Sequence, residues 1–240
     1  MHQAVERVVD SFLAMADGAL PPGYSAVLYG SAARGDYVPG WSDINLLVVS
    51  ESLTPDVLRK VGRGFAEWRT ATTDAPLLIS RAEWARATDV FPLEITDMRH
   101  AHTVLRGPDP ISALRVAPPD LRSAVERELR GKLLRLRQGY AVRSSDEAAL
   151  GDLAGKSAST VLVILRGLLT LLDRPVPSDS LQVAMAAAAM IGIEGEELLA
   201  VIRHRGQPGW RCSTAEFEAY LDAVTRAAGF VDQLKIGDER

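Results

Sequence analysis

Apolar positions change period several times in the first half of the chain and keep a single period in the second. Val5, Val8, Val9, Phe12 and Leu13 recur three and four apart, which predicts an amphipathic helix over about residues 3–17. Gly18 to Gly23, with Pro21-Pro22, ends it. Tyr24 to Tyr29 reads as a strand, Gly30-Ser31 as the turn after it, and Gly35 to Gly40 as a loop. Asp43 to Val49 reads as a second strand with a nearly continuous apolar end, as expected when both faces are covered. Thr54-Pro55 marks a helix start, with Leu58, Val61, Phe65 and Trp68 as its buried face. Pro76 to Ile79 reads as a short strand, and Ser80 with Glu83 as a capping box for a helix to about Thr88. Phe91 to Met98 reads as a further strand, followed by a short one at Thr103 to Leu105.

From Asp120 onward only helical spacing remains. Leu121 to Tyr140, Glu147 to Leu172, Ser180 to Ile191, Glu194 to His204 and Thr214 to Leu234 are predicted helices, separated by Pro175, Pro177, Gly192, Gly206, Pro208 and Gly209. The Pro- and Gly-rich stretch from Gly107 to Pro119 is the expected boundary. The predicted class is therefore α+β: a mixed sheet flanked by helices in residues 1–115, then an α-helical bundle in residues 116–240.

Bulk composition narrows this picture without deciding it. Of the 240 residues, 47% are hydrophobic and 24% charged, values ordinary for a globular chain. The formal charge of -4 argues against a general nucleic-acid coat, and nucleic acid is not expected as a partner. Cys212 is the single cysteine, so no intrachain disulfide can form and a reducing compartment fits. Met1 to Gly18 carries acidic residues and amphipathic spacing, unlike a secretory signal. The most apolar run, Ser157 to Leu172, contains Arg166 and is short for a membrane span, so a buried bundle helix is expected. These readings together predict a cytoplasmic protein with no membrane contact. The leading helix and apolar bundle allow a homodimer.

The candidate chemistry gathers around the first two strands. A glycine directly after a strand lets backbone approach a ligand closely, and a serine at a helix start either caps that helix or meets an anion. Asp43 and Asn45 stand two apart, so on a strand they share one face and offer two oxygens side by side, a pairing suited to Mg²⁺ held together with substrate phosphates. Glu94 stands inside the apolar Phe91-Pro92-Leu93-Glu94-Ile95-Thr96 stretch, where a carboxylate needs either a partner or solvent on one side. No zinc-ligand spacing, P-loop, Rossmann glycine pattern or Gly-x-Ser-x-Gly elbow occurs.

Gly30-Ser31, a gap of eleven residues, and an Asp-x-[Asp/Glu]-like pair in an apolar strand resemble the signature of the DNA polymerase beta-like nucleotidyltransferases. The small bacterial members, such as aminoglycoside nucleotidyltransferases, are most similar, because they join this domain to a C-terminal helical bundle. The resemblance implies metal-assisted transfer of a nucleoside monophosphate from an NTP to a hydroxyl acceptor, either a small molecule or a protein. Gly30 and Ser31 would hold the triphosphate, with Arg34 and Ser42 beside it. Asp43, Asn45 and Glu94 would hold Mg²⁺, two ions being expected, and Glu94 would help deprotonate the acceptor. Asn45 departs from the family pattern, which has a second acid there. That departure keeps open a nucleotide-binding regulator, or an interaction module of the same fold, without turnover.

Other polar residues divide between site and scaffold. Asp97, three residues after Glu94, would face the other way on a strand, and Arg34 and Ser42, which flank the phosphate loop and could touch phosphate, read first as exposed surface residues. Lys156 and Arg166, ten residues apart on one helix, share a face; Lys156 is the candidate for nucleotide binding, while Arg166 also fits an ion pair inside the bundle. The cations at Arg122, Arg127, Arg130, Lys132, Arg135 and Arg137 read as a solvated helix face.

Overall fold

A computed structural model describes residues 2–72 and 74–235. The chain divides into two compact units, one of residues 1–91 and 97–115, the other of residues 92–96 and 116–240.

The first unit begins with α1 (Gln3–Ala19), whose Val5, Val8, Val9, Phe12, Leu13 and Ala16 are buried. β1 (Ser25–Tyr29) follows, then the single turn α2 (Ser31–Arg34), β2 (Asn45–Ser50), α3 (Pro55–Val61), α4 (Phe65–Ala71) and β3 (Leu77–Ser80). The order continues through the short α5 (Arg81–Trp84), α6 (Pro92–His100) and β4 (His102–Arg106). Together the strands form a mixed sheet in the order β3-β2-β1-β4. β1 runs antiparallel to both β2 and β4, and β2 runs parallel to β3. One face of this sheet, through Ala26, Leu28, Leu46 and Val48, shares a core with the apolar stripe of α1 and with Val61 and Trp68. Phe12 anchors that layer, with its ring 5.3 Å from Trp68 and 5.4 Å from Phe65.

Local signals explain most boundaries. Thr54 accepts from the Val57 N–H at 3.4 Å as the cap of α3, and Ser80 with Glu83 completes the expected capping box of α5. Two expectations need amending. The helix predicted from Thr54 onward is interrupted by a tight 3-10 turn at Gly62–Gly64. Of its four expected core positions Val61 and Trp68 are buried, Phe65 is half-buried and Leu58 is 40% exposed. The α5 helix stops at Trp84, well before Thr88.

The largest correction concerns Phe91 to Met98, which is helix and not strand: α6 starts at Pro92. Proline cannot donate to a sheet ladder but fits the first turn of a helix. Glu94 then sits in the first turn, where a carboxylate complements the exposed N–H groups. Leu93, Ile95, Thr96, Asp97 and Met98 are buried, a distribution too wide for one strand face.

A polar lock closes the first unit after β4. Asp109 accepts from the Ser112 hydroxyl, the Ile111 N–H at 2.8 Å and the Ser112 N–H at 3.3 Å, and its Oδ2 lies 3.2 Å from His102 Nε2. Burial raises the Asp109 carboxyl pKa, but these hydrogen bonds outweigh it and hold the group down at about 2, against an ordinary 3.8. A depressed folded value means stabilisation that is complete above the unfolded value and lost as pH falls through the folded one. The stability advantage of the wild type over Asp109→Ala is therefore expected to be full above about pH 4 and to vanish near pH 2. Urea unfolding at stepped pH reads this directly; an advantage that persists at pH 2 would show that the lock is not electrostatic.

The second unit consists of α7 (Pro118–Arg143), α8 (Glu147–Leu171), α9 (Ser180–Ile191), α10 (Glu196–Arg203) and α11 (Thr214–Gln233), together with residues 92–96. α8 is long and apolar enough to cross a membrane by length and composition. Its apolar residues, among them Ala154, Val161, Leu162, Leu165 and Leu169, instead build the central core of the bundle. Asp146 caps α8, and Ser213 with Glu216 caps α11. Arg166, 1% exposed, donates from Nη2 to the Ser180 hydroxyl at 3.4 Å, inside the bundle. Leu93 packs into the same core, where Gly167 leaves room for it: a Cβ there would lie 2.4 Å from Leu93 Cδ1.

Candidate active site

Sheet register assembles the site. In the antiparallel pairing of β1 and β2, Tyr29 stands opposite Asn45. The turn that leaves β1 and the residues that lead into β2 are thus neighbours, although eleven positions separate Ser31 from Asp43. Gly30 has φ +70° and ψ -150°, a conformation open to glycine and strained for other residues. Space imposes the same choice, since a Cβ at Gly30 would lie 2.6 Å from Asn45 Nδ2. α2 then makes one turn, with Arg34 N–H donating to the Gly30 carbonyl at 3.1 Å and Gly35 N–H to the Ser31 carbonyl at 3.0 Å. The Ser31 side chain is half-buried and does not cap α2.

β2 starts at Asn45 and not at Asp43 as expected; Asp43, two residues before it, is exposed, while Ile44 is 1% exposed and Asn45 is half-buried. Asp43 Oδ1 accepts from the Thr72 hydroxyl at 3.1 Å. Burial, and after it the charge of Asp43, holds the Tyr37 hydroxyl above its usual pKa range. The Tyr37 ring lies 5.6 Å from that of His2. Ser42 has a structural bond: its hydroxyl accepts from the Val38 N–H at 3.0 Å and closes the loop before Asp43.

Arg34 is not a surface residue. Its side chain is 8% exposed, and its Nη1 donates to both carboxylate oxygens of Asp97, at 3.1 Å and 2.9 Å. Its Nε lies 3.8 Å from Asp36 Oδ1 without a hydrogen bond. Because α6 is a helix, Asp97 turns into the first unit and meets Arg34, where a strand would have placed it differently.

Two of the sequence candidates belong to the second unit. Glu94 is exposed on the first turn of α6, and Lys156 is exposed on α8, paired with Asp152 at 2.7 Å. At the β1–β2 site the first unit therefore presents one candidate carboxylate, Asp43, with the neutral amide of Asn45 beside it.

That donor set can be tested against Mg²⁺. The ion takes about six oxygens and is usually held by one or two carboxylates plus substrate phosphates and water. Asp43 retains lone pairs beyond the one facing Thr72, and Asn45 can offer its amide oxygen. Such a set fits one hard cation arriving with a nucleotide. The two-ion expectation finds no further support: among the described residues, no three His, Cys, Asp or Glu side chains gather as a metal site.

Residues 14–78, which contain the Gly30-Ser31 turn, Asp43 and Asn45, match the family model for the nucleotidyltransferase domain. Over that stretch the chain is similar to the nucleotidyltransferase domain. The whole structure is similar to the crystal structure of the spectinomycin adenyltransferase AAD(9) from Enterococcus faecialis with ATP and spectinomycin, with a TM-score of 0.59 and 12% identity. That match covers 95% of this chain and 99% of the other. At such low identity it speaks to fold, an α+β nucleotidyltransferase architecture with a helical C-terminal region. No curated protein matches the chain by sequence.

Within the first unit, Thr72 and Tyr37 escape sequence reasoning, and Asp97 is met there only as a residue that faces the other way. Thr72 meets Asp43 from the far end of α4, twenty-nine residues away, and no short motif encodes such a contact. Tyr37 sits in a loop with no periodicity. Asp97 was legible only through Pro92, the helix-start signal at the second position of an apparent strand.

Proposed function

We propose that the protein transfers a nucleoside monophosphate from an NTP to a hydroxyl acceptor: the acceptor oxygen, losing its proton, bonds to the α-phosphorus, the bond from that phosphorus to the bridging oxygen breaks, and pyrophosphate leaves. The observation that supports this reading is the Tyr29–Asn45 pairing, which sets the glycine turn beside Asn45, two residues after the carboxylate of Asp43, in a stretch similar to the nucleotidyltransferase domain. In this reading the Gly30-Ser31 backbone and the Ser31 hydroxyl receive triphosphate oxygens. Gly30 allows the phosphates to approach because no side chain stands in the way. Asp43 and the Asn45 amide oxygen would hold Mg²⁺ arriving with the nucleotide, and that ion would supply neutralising charge to the triphosphate. Thr72 fixes the Asp43 carboxylate through its hydroxyl.

The neighbour's ATP and spectinomycin support an adenylyl donor and an amino-sugar-like acceptor as first substrates to test. Glu94 is proposed as the base toward the acceptor and Lys156 as a nucleotide contact, each tested on its own. Glu94→Gln is expected to lower turnover with NTP affinity kept, and Lys156→Ala to weaken NTP affinity. The reading also places the protein in the cytoplasm, where NTP and a reduced Cys212 coexist.

Titration calorimetry with ATP and GTP, with and without Mg²⁺, is the primary test. Binding that needs Mg²⁺ is expected; no binding at millimolar nucleotide would sink the proposal. A second reading, nucleotide binding without turnover, is favoured by Asn45 alone, because it leaves one formal charge where the family pattern has two. Asn45→Asp separates the two. For a slow enzyme it keeps or raises transfer and lowers the half-saturating Mg²⁺ concentration by about tenfold. If neither the wild type nor Asn45→Asp transfers label while both bind NTP, the regulatory reading stands.

A further inference from the structure

We infer that Asp97 is a positioning residue, which through Arg34 holds the Gly30–Ser31 turn in the form that receives nucleotide phosphates. This rests on the function proposed above for that turn. Arg34 closes α2, the turn that starts at Ser31, and its N–H already returns to the Gly30 carbonyl. Its guanidinium is carried away from solvent and meets a carboxylate sixty-three residues along the chain. Both partners are buried, Arg34 at 8% and Asp97 at 7% side-chain exposure, so water screens the pair little.

The geometry of the pair points to placement and not to maximal binding energy. A guanidinium binds a carboxylate best through two nitrogens, each on its own oxygen. Here Nη1 serves both oxygens, and Nε, buried, makes no hydrogen bond. A buried donor left without an acceptor is costly, and replacing a buried pair with apolar side chains is often neutral or stabilising. Stability alone is therefore a weak reason for this arrangement. What it does accomplish is to tie a single, isolated turn of helix, too short to persist by itself, to the longer α6. Asp36 reinforces this from the other side: its N–H donates to the Ser31 carbonyl at 3.1 Å while its carboxylate lies 3.8 Å from Arg34 Nε.

The test uses the full chain and two independent readouts. Hydrogen exchange of the Arg34, Gly35 and Asp36 amides, all bonded back to Gly30 or Ser31, reports the turn without any ligand. In Asp97→Asn these amides are expected to exchange about tenfold faster than in the wild type, while amides of β1 and β2 keep their rates. ATP affinity measured calorimetrically below the melting transition should weaken by about tenfold, and Asp97→Glu should recover most of both effects. Where Asp97→Asn folds poorly, the uncharged pair Arg34→Met with Asp97→Leu replaces it, with the same faster exchange and weaker binding expected. Unchanged exchange at Arg34–Asp36 in either folded variant overturns the inference, as does wild-type ATP affinity with a loosened turn. If the wild type itself binds no ATP, the proposed function fails, and the exchange measurement alone still decides whether Asp97 positions the turn.

Discussion

Asp43→Ala is expected to lower nucleotidyl transfer at least ~100-fold while hardly moving the thermal midpoint of the protein. The first half of that expectation follows from the donor set at the start of β2. Asp43 is the one formal negative charge there, since Asn45 is neutral, so its removal leaves no anionic ligand on that strand. The second half follows from exposure. Asp43 lies outside the strand proper, and among the described residues its side-chain bond is to the Thr72 hydroxyl. Thr72 is 7% exposed, and its loss of an acceptor beside the exposed Asp43 position costs about 1 kcal/mol. Asp43→Asn separates the two effects. It preserves an acceptor for Thr72 and removes only the charge, so it should be as inactive as alanine and as stable as the wild type. A labelled-NTP transfer assay run beside thermal denaturation reads both. Retained transfer in Asp43→Asn would place the reaction somewhere other than the β1–β2 turn.

Gly151→Ala should destabilise the helical unit by about 3 kcal/mol, a fall of roughly 10 °C in its melting midpoint. Gly151 lies near the start of α8, and a Cβ there would stand 2.1 Å from the Trp210 carbonyl oxygen and 3.3 Å from the Cys212 nitrogen. The obstacle is backbone, and that backbone is fastened: the Cys212 N–H donates to the Glu147 carbonyl at 3.0 Å, and Ser213 caps α11. Relief requires the helix and the loop to part, which opens the fully buried Cys212 to water. Gly131→Ala is the matched control. On α7 nothing lies within 4 Å of the added methyl, so the same change there should stabilise by about 1 kcal/mol through helix propensity. Equal melting of the two variants would show that the Trp210 loop yields freely.

The parts of this molecule legible in the sequence are those encoded locally. α9 begins and ends where its apolar spacing and Gly192 place it, and the capping boxes at Ser80 and Ser213 mark real helix starts. The Gly30-Ser31 and Asp43 elements were readable for the same reason, since a glycine conformation and a polar strand start leave short signatures. What failed was the reading of Phe91 to Met98. An apolar run of eight residues satisfies both periods, and the alternation of Leu93, Glu94 and Ile95 outweighed the one discriminating residue, Pro92. That single error displaced Glu94 from strand to helix and hid the meeting of Asp97 with Arg34. Arg34 itself was misjudged as a surface residue because its partner lies far along the chain. Long-range polar pairs leave no periodic trace, so Thr72 and Asp97 had to come from the structure.

The division of α6 also bears on how this protein can be dissected. Residues 92–96 belong with the helical unit and residues 97–100 with the sheet unit, so neither unit is one uninterrupted stretch of chain. Cutting after Arg115 would strand Leu93 on the amino-terminal fragment, deprived of the seat that Gly167 leaves for it in the bundle. The carboxy-terminal fragment would keep an apolar hollow at that seat. Gene fusions and split reporters built at the Pro-rich linker therefore inherit one exposed leucine and one unfilled hole, and complementation of the two halves should be driven by that complementary pair of defects.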